Sequence, residues 1–154
     1  MKSDVTNAIN SAVISGFAQM AFIDVENLKN ACADFEYTTV VGVDIIAPVK
    51  GKLYFYFSKQ LKELLIKNIY DENLEELAMT KADDCQLELA NIIAGDFLSQ
   101  LHDCGHDYQI GLPSIYFDEN SIELPKKNFI IRHFDAEGAK FKIFLHCMKK
   151  DCAY

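Results

Sequence analysis

The chain has 154 residues, half of them apolar and a quarter charged, with 11 Phe and 7 Tyr, a composition that suits one domain spanning 1–154 with a sizeable core rather than a disordered or fibrous chain. Its formal net charge of −8, with no run of Lys or Arg, argues against nucleic acid or an anionic membrane as partner. No apolar run approaches the roughly 20 residues of a membrane span, and Met1-Lys2-Ser3-Asp4 enters an amphipathic pattern rather than a signal peptide. With five irregularly spaced cysteines that suit a reducing compartment, the expected location is the cytoplasm.

Val5, Ile9, Ala12, Val13, Gly16, Phe17 and Met20 recur at i, i+3, i+4 spacing, which predicts an amphipathic helix over Val5–Phe22. After an unassigned connection, the β-branched run Thr38–Ile46 predicts a strand and Leu53–Phe57 a second. The intervening Ala-Pro-Val-Lys-Gly reads as the turn of a hairpin. Ser58 is expected to cap a helix over Gln60–Ile69, with Leu61, Leu64, Leu65 and Ile69 on its apolar face. Leu74–Met79 reads as a short helical turn. Asp83 or Asp84 then opens the longest helical pattern, Gln86–His102, where an acid complements the helix dipole. Gly105 ends it.

Tyr108–Phe117, Phe129–Phe134 and Ala139–Cys147 read as strands, the last two joined by a hairpin signal at Asp135-Ala136-Glu137-Gly138. A solvated tail follows at Lys149-Lys150-Asp151. The order falls into two loosely similar halves, each opening with a helix. It predicts an α+β fold with helices packed on a largely antiparallel sheet.

On a helical wheel of about 100° per residue, Leu87, Ala90, Ala94, Phe97 and Leu101 make the core stripe of the longest helix. Asp84, Glu88, Asn91 and Gly95 fall at roughly 0°, 40°, −20° and 20° and make a narrow polar stripe. Glu88 and Asn91 are neighbours on it, since i and i+3 share a face. Gly95 costs about 1 kcal/mol relative to Ala in a helix interior, which suggests close approach of another backbone or a partner there. The stripe alone is equally what any solvated helix face shows.

A pattern of Asp or Ser, three residues, Glu, two residues, Asn, about twenty-one residues and Pro marks the phosphatases of the CheC–CheX–FliY chemotaxis family. Asp84, Glu88, Asn91 and Pro113 match it. The run Glu88-Leu89-Ala90-Asn91-Ile92-Ile93-Ala94-Gly95 resembles that family's helix core, and Gln109-Ile110-Gly111-Leu112-Pro113-Ser114 its following strand. Some members carry a second site on the opening helix. Aligning Gly16 with Gly95 puts Val5, Ile9 and Ala12 in place of Asp84, Glu88 and Asn91, so the first copy reads as silent and the chain as a single-site, CheX-like member.

The resemblance implies a hydrolase acting on the aspartyl phosphate of a CheY-like response regulator, with a homodimer as its form. Asn91 would orient water, because a carboxamide both donates and accepts hydrogen bonds. Glu88 would contact a Lys of the receiver. Asp84 would touch the partner's rim or simply orient the helix start, Gly95 would admit the partner, and Pro113 would shape the adjoining strand. No cofactor of its own is expected, and Mg2+ would come with the receiver.

Other readings compete. His102, Asp103, Cys104 and His106, with Cys85 or His146-Cys147, suggest zinc but lack paired ligand spacing. Cys85 near a helix start suggests a thiolate, without an assignable base. A receiver-binding adaptor without activity and a dimeric ligand-sensing or scaffold module remain alternatives to catalysis. A sensor should show a closed apolar pocket; a phosphatase should show an exposed Glu/Asn ridge.

Overall fold

The structure, a computed structural model, describes residues 2–29, 36–47, 50–71, 79–101 and 108–147. Helix α1 (Lys2–Ala21) is followed by strands β1 (Val25–Leu28), β2 (Tyr37–Ala47) and β3 (Gly51–Ser58) and helix α2 (Lys59–Tyr70). Helix α3 (Met79–Leu101) opens the second half. It leads to the short strands β4 (Gln109–Ile110) and β5 (Ser114–Tyr116), a 3-10 turn (Glu119–Ser121), and the hairpin β6 (Phe129–Ala136) and β7 (Ala139–Cys147).

Every strand pairing is antiparallel, in the order β1-β6-β7-β3-β2-β4, with β5 also on β2. The order is palindromic in the two halves. The β2–β3 and β6–β7 hairpins meet at β3·β7, and the short opening strand of each half pairs with the hairpin of the other. The expected α+β fold and its two related halves are therefore both present.

Alternation along the strands explains the layering. Leu53, Phe55 and Phe57 of β3 and Phe141, Ile143 and Leu145 of β7 point to one face, where α1, α2 and α3 cover them in a single core. Tyr54, Tyr56 and Phe144 point to the other, with Val40 and half-buried Tyr37, Tyr116 and Ile122. Lys142 spans the rings of Tyr37 and Tyr56 there, 4.5 Å from the Tyr56 centroid, and its apolar stem shields them.

Ser58 caps α2 as expected, its Oγ accepting from the Leu61 N–H at 3.2 Å. The β6–β7 loop is the two residues Glu137 (φ 51) and Gly138 (φ 97), a type I′ turn whose twist suits the flanking strands. Asp135 braces it by accepting from the Gly138 N–H at 2.7 Å and from Lys140.

Three elements differ from expectation. The strand read over Tyr108–Phe117 is two short strands, β4 and β5, because Gly111, Leu112 and Pro113 between them fall out of register with β2. Strand β1 lies in the unassigned connection; at four residues it is too short to show an alternating signal. Helix α3 begins at Met79, well before Asp84. The predicted turn at Leu74–Met79 and the stop at Gly105 lie largely or wholly outside the described residues.

Candidate functional site

Helix α3 is fixed on both sides. Toward α1, a Cβ placed on Gly16 would lie 2.7 Å from Cγ1 of Ile93, so the bare glycine lets the two helices pack closely. Toward the sheet, Gln86 is buried and accepts a hydrogen bond from the Thr39 hydroxyl of β2, while its Nε2 donates to the Ala82 carbonyl at 3.0 Å. Such a satisfied buried amide fixes the rotation of the helix. The pairing escaped the sequence reading. Gln86 on the core-facing side of the wheel was the available signal, and nothing local pointed to Thr39.

The rotation so fixed turns the polar stripe outward. Asp84 and Glu88 are exposed, while Asn91 and Gly95 are half-buried. Leu89, Ala90, Ile93, Ala94 and Phe97 are buried beneath them. Among the described residues, nothing beyond the local turns of α3 itself stands within 4 Å of where a Gly95 Cβ would be. Close approach by a strand of the chain itself is thus not what Gly95 serves among the described residues. Asp84 stands in the second turn of α3 rather than at its start, so its role as an acid at the helix N-terminus is removed; dipole effects fade within the first turn.

Pro113 is half-buried between β4 and β5, and β5 lies against α3. The fold thus brings Asp84, Glu88, Asn91 and Gly95 to one helix face, with Pro113 on the neighbouring strand segment.

On α1, Ile9 and Ala12 are buried and Val5 is half-buried, whereas Asp4, Asn7, Ser11 and Ile14 are exposed. The alignment of Gly16 with Gly95 therefore matches an inward stripe with an outward one, and a correct comparison of the helices needs another register.

Among the described residues, nothing supports the competing chemistries. Burial pushes the Cys85 thiol up to about 11, the opposite of an activated nucleophile. No group of three His, Cys, Asp or Glu suited to a metal occurs among the described residues. His102, Asp103, Cys104 and His106 lie outside them. His146 Nδ1 lies 3.1 Å from the Asn128 carbonyl. No described helix is long and apolar enough to cross a membrane.

Solved CheC- and CheX-type proteins share this fold. A CheC-like superfamily protein from Shewanella sp. PV-4 superposes with a TM-score of 0.78 at 20% identity, covering 96% of this chain and 98% of that one. Chemotaxis protein CheX from Vibrio vulnificus gives 0.77 at 17% identity over 94% and 99%. The CheX–CheY–BeF3–Mg2+ complex from Borrelia burgdorferi gives 0.75 at 18% over 94% and 97%. The family model for chemotaxis phosphatase CheX matches residues 39–135, and the chain belongs to that family. A search of curated proteins finds no match.

Proposed function

We propose that the chain is a phosphatase that accelerates hydrolysis of the aspartyl phosphate on a CheY-like response regulator, Asn91 orienting the water and Glu88 docking the receiver. The observation that carries this is the outward Glu88–Asn91 pair on α3, beside open space at Gly95, in a chain of the CheX family. The relative solved as a CheX–CheY–BeF3–Mg2+ complex supports the choice of partner.

In this reading the water oxygen attacks phosphorus in line. The bond from phosphorus to the acyl oxygen breaks, leaving the receiver's Asp carboxylate and inorganic phosphate, which takes the water's proton. A carboxamide holds the water in line but does not deprotonate it. The work is therefore positioning, comparable to that of the water-orienting Gln of GTPases. Mg2+ would be held by the receiver. Glu88 adds register through a Lys of the receiver, an ion pair worth roughly 0–1 kcal/mol when exposed and more once docking dries it. Asp84 borders the same surface. The chain would work as a homodimer, which sedimentation at assay concentration tests directly.

The test is decay of a phosphorylated receiver with wild type, Asn91→Ala and Glu88→Ala. Faster decay with wild type, abolished in Asn91→Ala while binding persists, is the expected result. Tight binding by wild type without faster decay would leave a non-catalytic adaptor. Neither binding nor decay across a panel of receivers would favour a sensor or scaffold.

A further inference from the structure

The edge of the sheet beside α3 is broken between β4 and β5. Ile110 pairs with Ile45 and Ser114 with Gly42, so Gly111, Leu112 and Pro113 stand opposite only Asp44 and Val43. The Gly111 N–H donates to the Asp44 carbonyl at 2.8 Å, and a Cβ on Gly111 would come within 3.3 Å of the Asp44 Cβ. Gly111 is thereby held tight against β2. Pro113 has no N–H to offer the ladder. The surplus residue of this bulge is Leu112, which is 90% exposed. Bulges re-aim side chains, and here one aims a leucine into solvent.

We infer that Leu112 is an apolar anchor for the receiver domain, extending the docking surface from the α3 stripe onto the sheet edge; this rests on the phosphatase reading above. Three observations favour the receiver as occupant. β5, which follows the bulge directly, lies against α3, the helix that carries Glu88 and Asn91. Tyr108 and Phe117, at either end of the same edge segment, are 44% and 63% exposed, so Leu112 is one of three exposed large apolar side chains carried by this segment. The backbone around Leu112 is already fixed by Gly111 and Pro113, so docking orders little that was loose, and apolar burial there is retained as affinity. An acidic stripe on α3, with a fixed apolar projection from the segment that leads into the strand against it, offers a mixed surface suited to a partner that carries both a lysine and an apolar patch.

Dephosphorylation of one phosphorylated receiver, with the full-length chain and its Leu112→Ser and Leu112→Met variants, tests this. Burial of a leucine side chain predicts that KM for the phosphorylated receiver rises about tenfold or more in Leu112→Ser. Turnover at saturation should stay within about twofold, because the anchor supports bound and reacting states alike. Leu112→Met should restore KM. An unchanged KM in Leu112→Ser overturns the anchor while leaving Glu88 and Asn91 in place. A shift of oligomeric state in Leu112→Ser, with receiver affinity per protomer preserved, overturns it in favour of a second copy of the chain on this edge. Absence of binding and turnover in wild type removes the phosphatase reading itself, and this surface with it.

Discussion

Gly16 of α1 stands beneath Ile93 of α3, with room for a hydrogen and none for a methyl group: a Cβ there would lie 2.7 Å from Cγ1. Cγ1 is close to the Ile93 backbone and confined by the core, so it yields little. Overpacking costs about 1–3 kcal/mol, against about 1 kcal/mol gained when a helical Gly becomes Ala. Gly16→Ala is expected to destabilise the fold by up to about 2 kcal/mol, read as a lower midpoint in urea unfolding.

Gly95 lies on a helix too, but among the described residues nothing beyond its own helix would meet a Cβ there. Gly95→Ala should therefore raise stability by about 0.5–1 kcal/mol. If a partner backbone approaches this spot, the same methyl group weakens receiver binding. A variant that is more stable and binds as well as wild type would show that Gly95 has no part in docking.

Thr39 and Gln86 should behave as a unit. Thr39→Val leaves the Gln86 carbonyl oxygen without its Thr39 donor, and an unsatisfied buried polar group costs about 1–3 kcal/mol. Thr39→Val with Gln86→Leu should cost less than the two single changes added together. Simple additivity in denaturant unfolding would show that the bond contributes no coupling.

A single site on α3 makes a specific demand of α1. Asp4 and Asn7 are both exposed and stand three residues apart, the same acid–amide spacing as Glu88 and Asn91. Asn7→Ala should leave receiver dephosphorylation at the wild-type rate, whereas Asn91→Ala abolishes it. Partial loss in each and complete loss only in the double variant would mean two sites.

The β6–β7 turn carries a pH dependence. The Lys140 ammonium, donating to Asp135, holds its carboxyl below the usual range; partial burial opposes this and the Gly138 N–H adds to it. A depressed native pKa gives stability that is fully present above the ordinary Asp value of about 3.9 and is lost as pH falls through the native value. Both groups reach solvent, so the contribution is about 1 kcal/mol or less. Wild type should exceed Asp135→Asn in stability at pH 7, the gap closing toward pH 2. A gap independent of pH would assign the effect to the neutral hydrogen bonds.

The elements that could be read from sequence were those with a long period. The β2 run Thr38–Ile46, the β3 run Leu53–Phe57 and the apolar stripe of α1 each repeat often enough to fix a face. The wheel of α3 set Glu88 outward, but its core stripe was rotated: Leu87, Leu101 and Asn91 are half-buried, while Leu89 and Ile93 are buried. Strand β1 escaped because its four residues are defined by pairing with β6, more than a hundred positions away. The start of α3 was misplaced because an acid at Asp83 or Asp84 resembles a cap, while packing of Ala82 against Ile66 of α2 extends the helix earlier. Leu112 was legible only as part of a family-like segment. Its exposure follows from a register mismatch that appears when β4 and β5 meet β2.

The palindromic strand order has a consequence for how the molecule comes into being. Val25 must wait for Ala136, and Ile110 must return to Ile45, so each hairpin acquires an outer strand made by the opposite half. On the ribosome the first half emerges without the strand that flanks β2, and its own β1 has as yet no neighbour. Contacts so distant in sequence close late and slowly. Until β6 is synthesised, the nascent chain carries unpaired strands that other chains could join.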